Sequence, residues 1–187
     1  MKIQIQKIFK ESINVKEQAL EKNLSQMEAV INVVISAFKQ NGKILFFGNG
    51  GSAADSQHIA AEFIGRFKKE RVSLPAIALT TDTSILTALG NDYGYDVVFS
   101  RQIEGLGQKG DVAFGISTSG NSKNVIAGIN KAKEKGLVTV SMTGGDGGAL
   151  AKLTDYALIV PSSDTARIQE SHICMAHTIC ELVENNL

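Results

Sequence analysis

From Lys43 onward, short apolar runs alternate with helical stretches, and this alternation constrains the chain more than any other feature. The runs are 43–47 (Lys-Ile-Leu-Phe-Phe), 76–79 (Ala-Ile-Ala-Leu), 111–116 (Asp-Val-Ala-Phe-Gly-Ile), 137–142 (Leu-Val-Thr-Val-Ser-Met) and 156–160 (Tyr-Ala-Leu-Ile-Val). Each is apolar at consecutive positions. A strand there buries both faces, as in a parallel sheet covered on both sides. Periodicity predicts helices at 53–66, 83–90, 122–135 and 146–152 between the runs, and a last helix at 165–185. Strand alternating with helix means right-handed crossovers and a parallel sheet.

Upstream, 3–22 reads as an amphipathic helix with Ile3, Ile5, Ile8, Phe9, Ile13, Val15 and Leu20 among charges. A second helix follows, with Leu24, Met27, Val30, Ile31, Val34, Ile35 and Phe38 at three-and-four spacing, and stops near Asn41-Gly42. The expected architecture is α/β: a three-layer, five-stranded parallel sheet flanked by helices, with an N-terminal helical pair. The pair's wide apolar faces suit the sheet or another subunit. No linker, repeat or low-complexity stretch splits the chain, so a single domain over 1–187 is expected, with 1–41 as a helical arm and 43–187 as the α/β core.

Composition narrows the function classes. Hydrophobic residues are 43% of 187, enough for a sizeable core. Lys plus Arg equals Asp plus Glu at 19 each, so no net field selects nucleic acid or an anionic membrane. Cys174 and Cys180 cannot make a disulfide scaffold and are expected in the core, in a reducing compartment. The first 30 residues are charged throughout, and no apolar run approaches the roughly 20 residues of a membrane span. A cytoplasmic protein without nucleic-acid or membrane partners is expected.

Ligands of open α/β sheets bind beyond the carboxyl ends of the strands. Gly48-Asn49-Gly50-Gly51-Ser52 follows the first run, and Ser117-Thr118-Ser119-Gly120-Asn121-Ser122 follows the third. Glycines let a ligand approach the backbone, and hydroxyls at a helix start suit a phosphate held by neutral donors and N–H groups. Either loop alone is equally well a tight turn or a helix cap. Two of them at neighbouring strand ends favour a phosphorylated ligand. Neither is a Walker loop, since no Gly-Lys-Ser/Thr ending is present, and the dinucleotide fingerprint is matched weakly.

His58 and Glu62 share one helix face at i,i+4, placed to share a metal or to act as acid and base. An arbitrary pair of this kind is more often a plain surface pair. Small neighbours such as Ala60 and Ala61, and Phe63 beside Glu62, favour a half-buried carboxylate here. The other histidines, His172 and His177, lie in the last helix, and His172 reads as a satisfied surface or packing residue. Gln169 and His177 are eight apart, roughly 80° round the helix and about 12 Å along it, which strains any shared atom. Asn91-Asp92 sits in a turn-like Gly-Asn-Asp-Tyr-Gly stretch. Arg66 suits a phosphate or a subunit contact, and Lys68-Lys69-Glu70-Arg71 reads as a solvated run.

Six ordered motifs carry a resemblance. They are Gly-Asn-Gly-Gly-Ser (48–52), Gln-His-Ile-Ala-Ala-Glu (57–62), Gly-Asn-Asp (90–92), Gly-Ile-Ser-Thr-Ser-Gly-Asn-Ser (115–122), Thr-Gly-Gly-Asp-Gly-Gly (143–148) and Arg-Ile-Gln-Glu-Ser-His (167–172). Over essentially the whole chain the sequence resembles the phosphoheptose isomerase family of sugar isomerase (SIS) domains. The resemblance implies a homotetramer with active sites between subunits. It also implies conversion of sedoheptulose 7-phosphate to D-glycero-D-manno-heptose 7-phosphate, the first step towards activated heptose for surface glycans such as lipopolysaccharide or capsule.

By the same resemblance, Glu62 is the general base and His177 the general acid. Asn49, Gly50, Gly51, Ser52, Glu62, Asn91, Asp92, Ser117, Thr118, Ser119, Ser122 and Gln169 line the substrate site. His58, Glu62, Gln169 and His177 hold one zinc per subunit. A paralogue of this family binds the replication initiator and resembles the isomerases closely, but lacks the glutamate and the last-helix histidine. This sequence keeps both. A sugar-phosphate isomerase for a hexulose or arabinose phosphate is the third reading, and the Gly-Asn-Gly-Gly-Ser loop and short length disfavour it.

Overall fold

The computed structural model describes all residues 1–187. Five strands, β1 (Ile44–Gly48), β2 (Ala76–Ala78), β3 (Val112–Ser117), β4 (Val138–Gly144) and β5 (Tyr156–Val160), form one sheet in the order β2-β1-β3-β4-β5. Every pairing is parallel, with Phe46 opposite Phe114 and Ile116 opposite Met142. The expected α/β class and five-stranded parallel sheet are both present.

Strand side chains alternate between two cores, as a pleat requires. Ile44 and Phe46 of β1 join one cluster with Val112, Phe114, Val140 and Met142. Leu45 and Phe47 point to the other, with Ala113, Val125 and Ile129. The first cluster is covered by helices α1 (Lys2–Lys39), α2 (Gly51–Ile64) and α7 (Thr165–Asn185). The second is covered by α4 (Val98–Leu106), α5 (Lys123–Glu134) and α6 (Gly148–Leu153). Helix α3 (Thr83–Asp92) buries no residue of its own in the single chain.

The expected helical pair is corrected to one helix of 38 residues. No Gly or Pro lies between Glu21 and Ser25 to break it. Asn23, which falls between the two expected helices, is 2% exposed. Its amide donates to the Ile159 carbonyl at 2.9 Å and its Oδ1 accepts the Ile159 N–H at 2.7 Å, so it mimics a further strand at the β5 edge. The stop near Asn41-Gly42 is as expected. Asn41 adopts φ 60°, and Gly42 N–H donates to the Ala37 carbonyl at 2.8 Å in a Schellman arrangement.

Helix α4 had no counterpart in the sequence reading. Its buried stripe is Val98, Phe99, Gln102 and Ile103, and Gln102 is satisfied by donating to the Leu79 and Val98 carbonyls. No helix is long and apolar enough to cross a membrane. In the strand order 2-1-3-4-5 the direction of the crossovers reverses between β1 and β3, so the crevice for a ligand opens beyond their carboxyl ends.

Candidate active site

The loops after β1 and β3 lie side by side at that crevice, and an amide pair joins them. Asn49 Nδ2 donates to Asn124 Oδ1 at 2.9 Å, and Asn124 Nδ2 donates to Asn49 Oδ1 at 2.9 Å. Asn124 also accepts the Val125 N–H, and it is 4% exposed. Sequence reasoning missed Asn124. Its one signal was an amide two residues after Ser122 at a helix start.

Ser117 Oγ lies 2.9 Å from Ser122 Oγ and 3.5 Å from Ser119 Oγ, so three of the expected hydroxyls form one chain. Ser52 is 3% exposed in the first turn of α2. At Gly51 only a glycine fits, since a Cβ there would overlap the Gln169 amide. Gln169 therefore sits over the glycine loop. Thr118 and Ser119 also line a polar cavity of about 220 Å³ with Gly145, Asp146, Ser162, Ser163 and Thr165, none of them assigned from sequence.

The ionisable cluster forms between α2 and α7. His58 Nε2 lies 2.8 Å from His177 Nε2 and 3.5 Å from Glu62 Oε1. Ligand atoms of His58, Glu62 and His177 all lie within 4.8 Å of one another. Glu62 is half-buried as expected, its side chain 23% exposed against 47% for His58. Burial first, and then the charge of His58, hold His177 below the usual imidazole pKa, while Glu62 pulls it up. Asp55, one turn before His58, is pushed up by burial, and its Oδ2 has no partner. Two imidazole nitrogens and a carboxylate that converge in this way are a donor set that could hold a metal ion.

Other expected residues are placed differently. Asn91 and Asp92 are exposed at the end of α3, bonded to each other at 2.8 Å and to neither loop. His172 packs, 1% exposed with Nε2 3.0 Å from the Thr143 carbonyl. Cys180 is buried, its thiol pushed up to about 12 by burial, but Cys174 is exposed, correcting the core assignment. In the Arg-Ile-Gln-Glu motif only Gln169 faces the glycine loop. Arg167 donates to the Ile8 carbonyl and to Glu170, and Glu170 accepts from Ser12 of α1, so these two join helices. Asp164, not Thr165, caps α7 through the Ala166 N–H at 2.8 Å. Arg66 pairs with Glu70 in solvent, whereas Arg71, read as solvated, is 12% exposed and fully engaged.

A parallel 2-1-3-4-5 sheet with a glycine loop, a hydroxyl loop and a His-Glu-His cluster beside them defines a class: the doubly wound α/β domains that take a ligand beyond the carboxyl ends of their strands. The SIS domain family matches residues 8–144. The phosphoheptose isomerase of Aquifex aeolicus is 58% identical over 180 residues, covering 96% of this chain and 94% of that protein. The structure of phosphoheptose isomerase from Neisseria gonorrhoeae superposes with a TM-score of 0.93 at 45% identity, covering 98% of each chain. That of a phosphoheptose isomerase from Francisella tularensis gives 0.94 at 34% identity over 97% of each. The chain belongs to the phosphoheptose isomerase family of SIS domain proteins and is an enzyme of the sugar-phosphate isomerase class.

Proposed function

We propose that the chain interconverts sedoheptulose 7-phosphate and D-glycero-D-manno-heptose 7-phosphate, with Glu62 as base and His177 as acid. The observation that carries this reading is the convergence of His58, Glu62 and His177 from two helices, within 4.8 Å, beside the glycine loop. In a ketose-to-aldose step, the Glu62 carboxylate removes a proton from C1. The resulting enediolate takes the same proton back at C2. O1 loses a proton and O2 gains one, and the His177 imidazole, which its lowered pKa keeps mainly neutral near pH 7, offers one N–H to give and one bare nitrogen to accept.

Ser52, Ser117, Thr118, Ser119 and Ser122 hold the phosphate, and Asn49 to Gly51 and Gln169 line the sugar. Binding energy gathered there, away from the reacting carbons, orients C1 and C2. The chain of hydroxyls from Ser117 to Ser122 supports that assignment. His58, Glu62 and His177 would hold one zinc per subunit, with Gln169 as the fourth ligand if its amide swings from Gly51. Zinc would supply positive charge where the enediolate oxygens develop negative charge.

The chain acts as one SIS domain over 1–187, in the cytoplasm, within a homotetramer whose subunits share active sites. Asn91 and Asp92 on the unburied α3 then complete a neighbour's site, which their exposure supports. The product is a precursor of activated heptose for lipopolysaccharide, capsule or another surface glycan.

A coupled assay with sedoheptulose 7-phosphate, run on native and on metal-stripped protein, tests the reading. Turnover should fall on stripping and return with zinc. Turnover indifferent to metal would remove the zinc role, and none on any ketose phosphate would favour the non-enzymatic binding paralogue.

A further inference from the structure

The segment 66–72 after α2 holds no residue of the acid–base cluster, yet one side chain grips it along most of its length. Glu184, near the end of α7, has a carboxylate only 1% exposed. Its Oε1 accepts the Phe67 N–H at 3.0 Å and the Arg71 Nε–H at 3.0 Å. Its Oε2 accepts the Lys68 N–H at 2.7 Å and the Lys69 N–H at 2.8 Å. Consecutive backbone N–H groups on one anion form a nest. These donors outweigh burial and hold the Glu184 pKa down to about 2.

Both ends of this grip reach the cluster. Arg71 Nη2 donates to the Glu62 carbonyl at 2.9 Å, and Nη1 donates to the Phe63 carbonyl at 2.9 Å. Carbonyls in the last turn of a helix have no intrahelical partner, so Arg71 closes the end of α2 at the residue that bears the base. Phe67 lies with its ring centroid 5.3 Å from that of His177. His177 and Glu184 are seven residues apart on α7, about two turns, and so share a face. The heads of Lys68, Lys69 and Glu70 stay in solvent, so the segment contributes little apolar burial beyond Phe67.

We propose that Glu184 and Arg71 are positioning residues for the isomerisation: they fasten the 67–71 segment so that Phe67 packs on His177 and the last turn of α2 presents Glu62 to it. This rests on the reading of Glu62 and His177 as base and acid. A misplacement of about 1 Å can cost about 100-fold in rate. Glutamine at 184 keeps the volume, but its NH2 must face two of the four N–H donors, whichever way the amide turns.

The test uses full-length Glu184→Gln and Phe67→Leu, with Asp155→Asn as a stability control. Asp155 ties β4 to β5 through the Thr139 N–H and hydroxyl at the amino ends of those strands, far from the crevice. Melting temperature, kcat and KM for sedoheptulose 7-phosphate, and the NMR signals of the His177 ring at one pH are compared. Glu184→Gln should lower kcat about 10- to 100-fold, keep KM within about twofold and shift the His177 signals. Phe67→Leu should shift the same signals and lower kcat less. Asp155→Asn should lower the melting temperature and leave kcat alone.

A folded Glu184→Gln protein with wild-type kcat and His177 signals would overturn the proposal. If that variant does not fold, Phe67→Leu decides: unchanged kcat and signals overturn the proposal, and changed ones support it. A wild-type protein without turnover would defeat the activity reading instead, and the His177 signals would then judge the positioning alone.

Discussion

Two histidines five residues apart on α7 differ only in what surrounds them. His177 faces the crevice with His58 and Phe67. His172 is sealed behind β4, and burial pushes its pKa down to about 4 from 6.5, against the pull of the Thr143 carbonyl. Its folded pKa lies below its unfolded one, so the native chain binds fewer protons. The resulting stability is complete above pH 6.5 and is lost as pH falls towards 4. The difference corresponds to at most about 3 kcal/mol. Glu184 loses its contribution lower, between 4.5 and about 2, so it leaves the upper part of the window to His172. Urea midpoints at pH 7 and pH 5 should differ for the wild type and differ less for His172→Gln. Equal slopes in the two proteins would remove the buried imidazole from the acid response. That His172 is a satisfied structural residue was legible, but its burial behind β4 was not, since surface and packing positions read alike in the sequence. That Glu184 holds a loop was not, because its partners lie more than a hundred residues away and their N–H groups carry no sequence signal.

At the scale of elements, the two polar loops work because they lock against their neighbours. Gly120 adopts φ 65°, and a Cβ there would overlap the Gly147 carbonyl. The Leu150 N–H donates to the Gly120 carbonyl at 2.9 Å, and the Ala149 N–H to Asn121 Oδ1 at 3.1 Å. The Thr-Gly-Gly-Asp-Gly-Gly stretch thus serves as the seat of the hydroxyl loop. Gly120→Ala should cost about 1–3 kcal/mol in stability and raise KM for the sugar phosphate more than it lowers kcat. Wild-type KM and melting temperature in that variant would refute the seat. The strands were legible because runs such as Ile-Leu-Phe-Phe are buried on both faces and leave one solution. Helix α4 was not, because Gln102 interrupts its apolar stripe and the preceding Gly94 and 3₁₀ turn at Tyr95–Val97 mimic a long loop. The break expected between residues 22 and 24 was wrong for a related reason: nothing in Glu21-Lys22-Asn23 tells that Asn23 is bonded to β5 and the helix runs on.

Across the whole molecule, two features await a second surface. Ile3, Ile8, Phe9, Ile13, Leu20 and Leu24 of α1 are each at least 50% exposed, and grooves of about 350 and 330 Å³ run between α1 and α7. Helix α3, with Asn91 and Asp92 at its end, buries no residue fully and packs only Leu86 and Leu89 partly against the core. Exposed apolar faces of this kind suit association with a second surface. The sequence told of the cluster's members on α2 and α7, but only the packing of α2 against α7 brings the ligand atoms of His58, Glu62 and His177 within 4.8 Å of one another. In the proposed function the chemistry converges on one carboxylate. The most direct measurement is the kcat of Glu62→Gln on sedoheptulose 7-phosphate, with the assembly checked by sedimentation. The account predicts an intact assembly whose kcat falls about 100- to 10,000-fold, the usual contribution of a general base. An intact Glu62→Gln protein with wild-type turnover would contradict it.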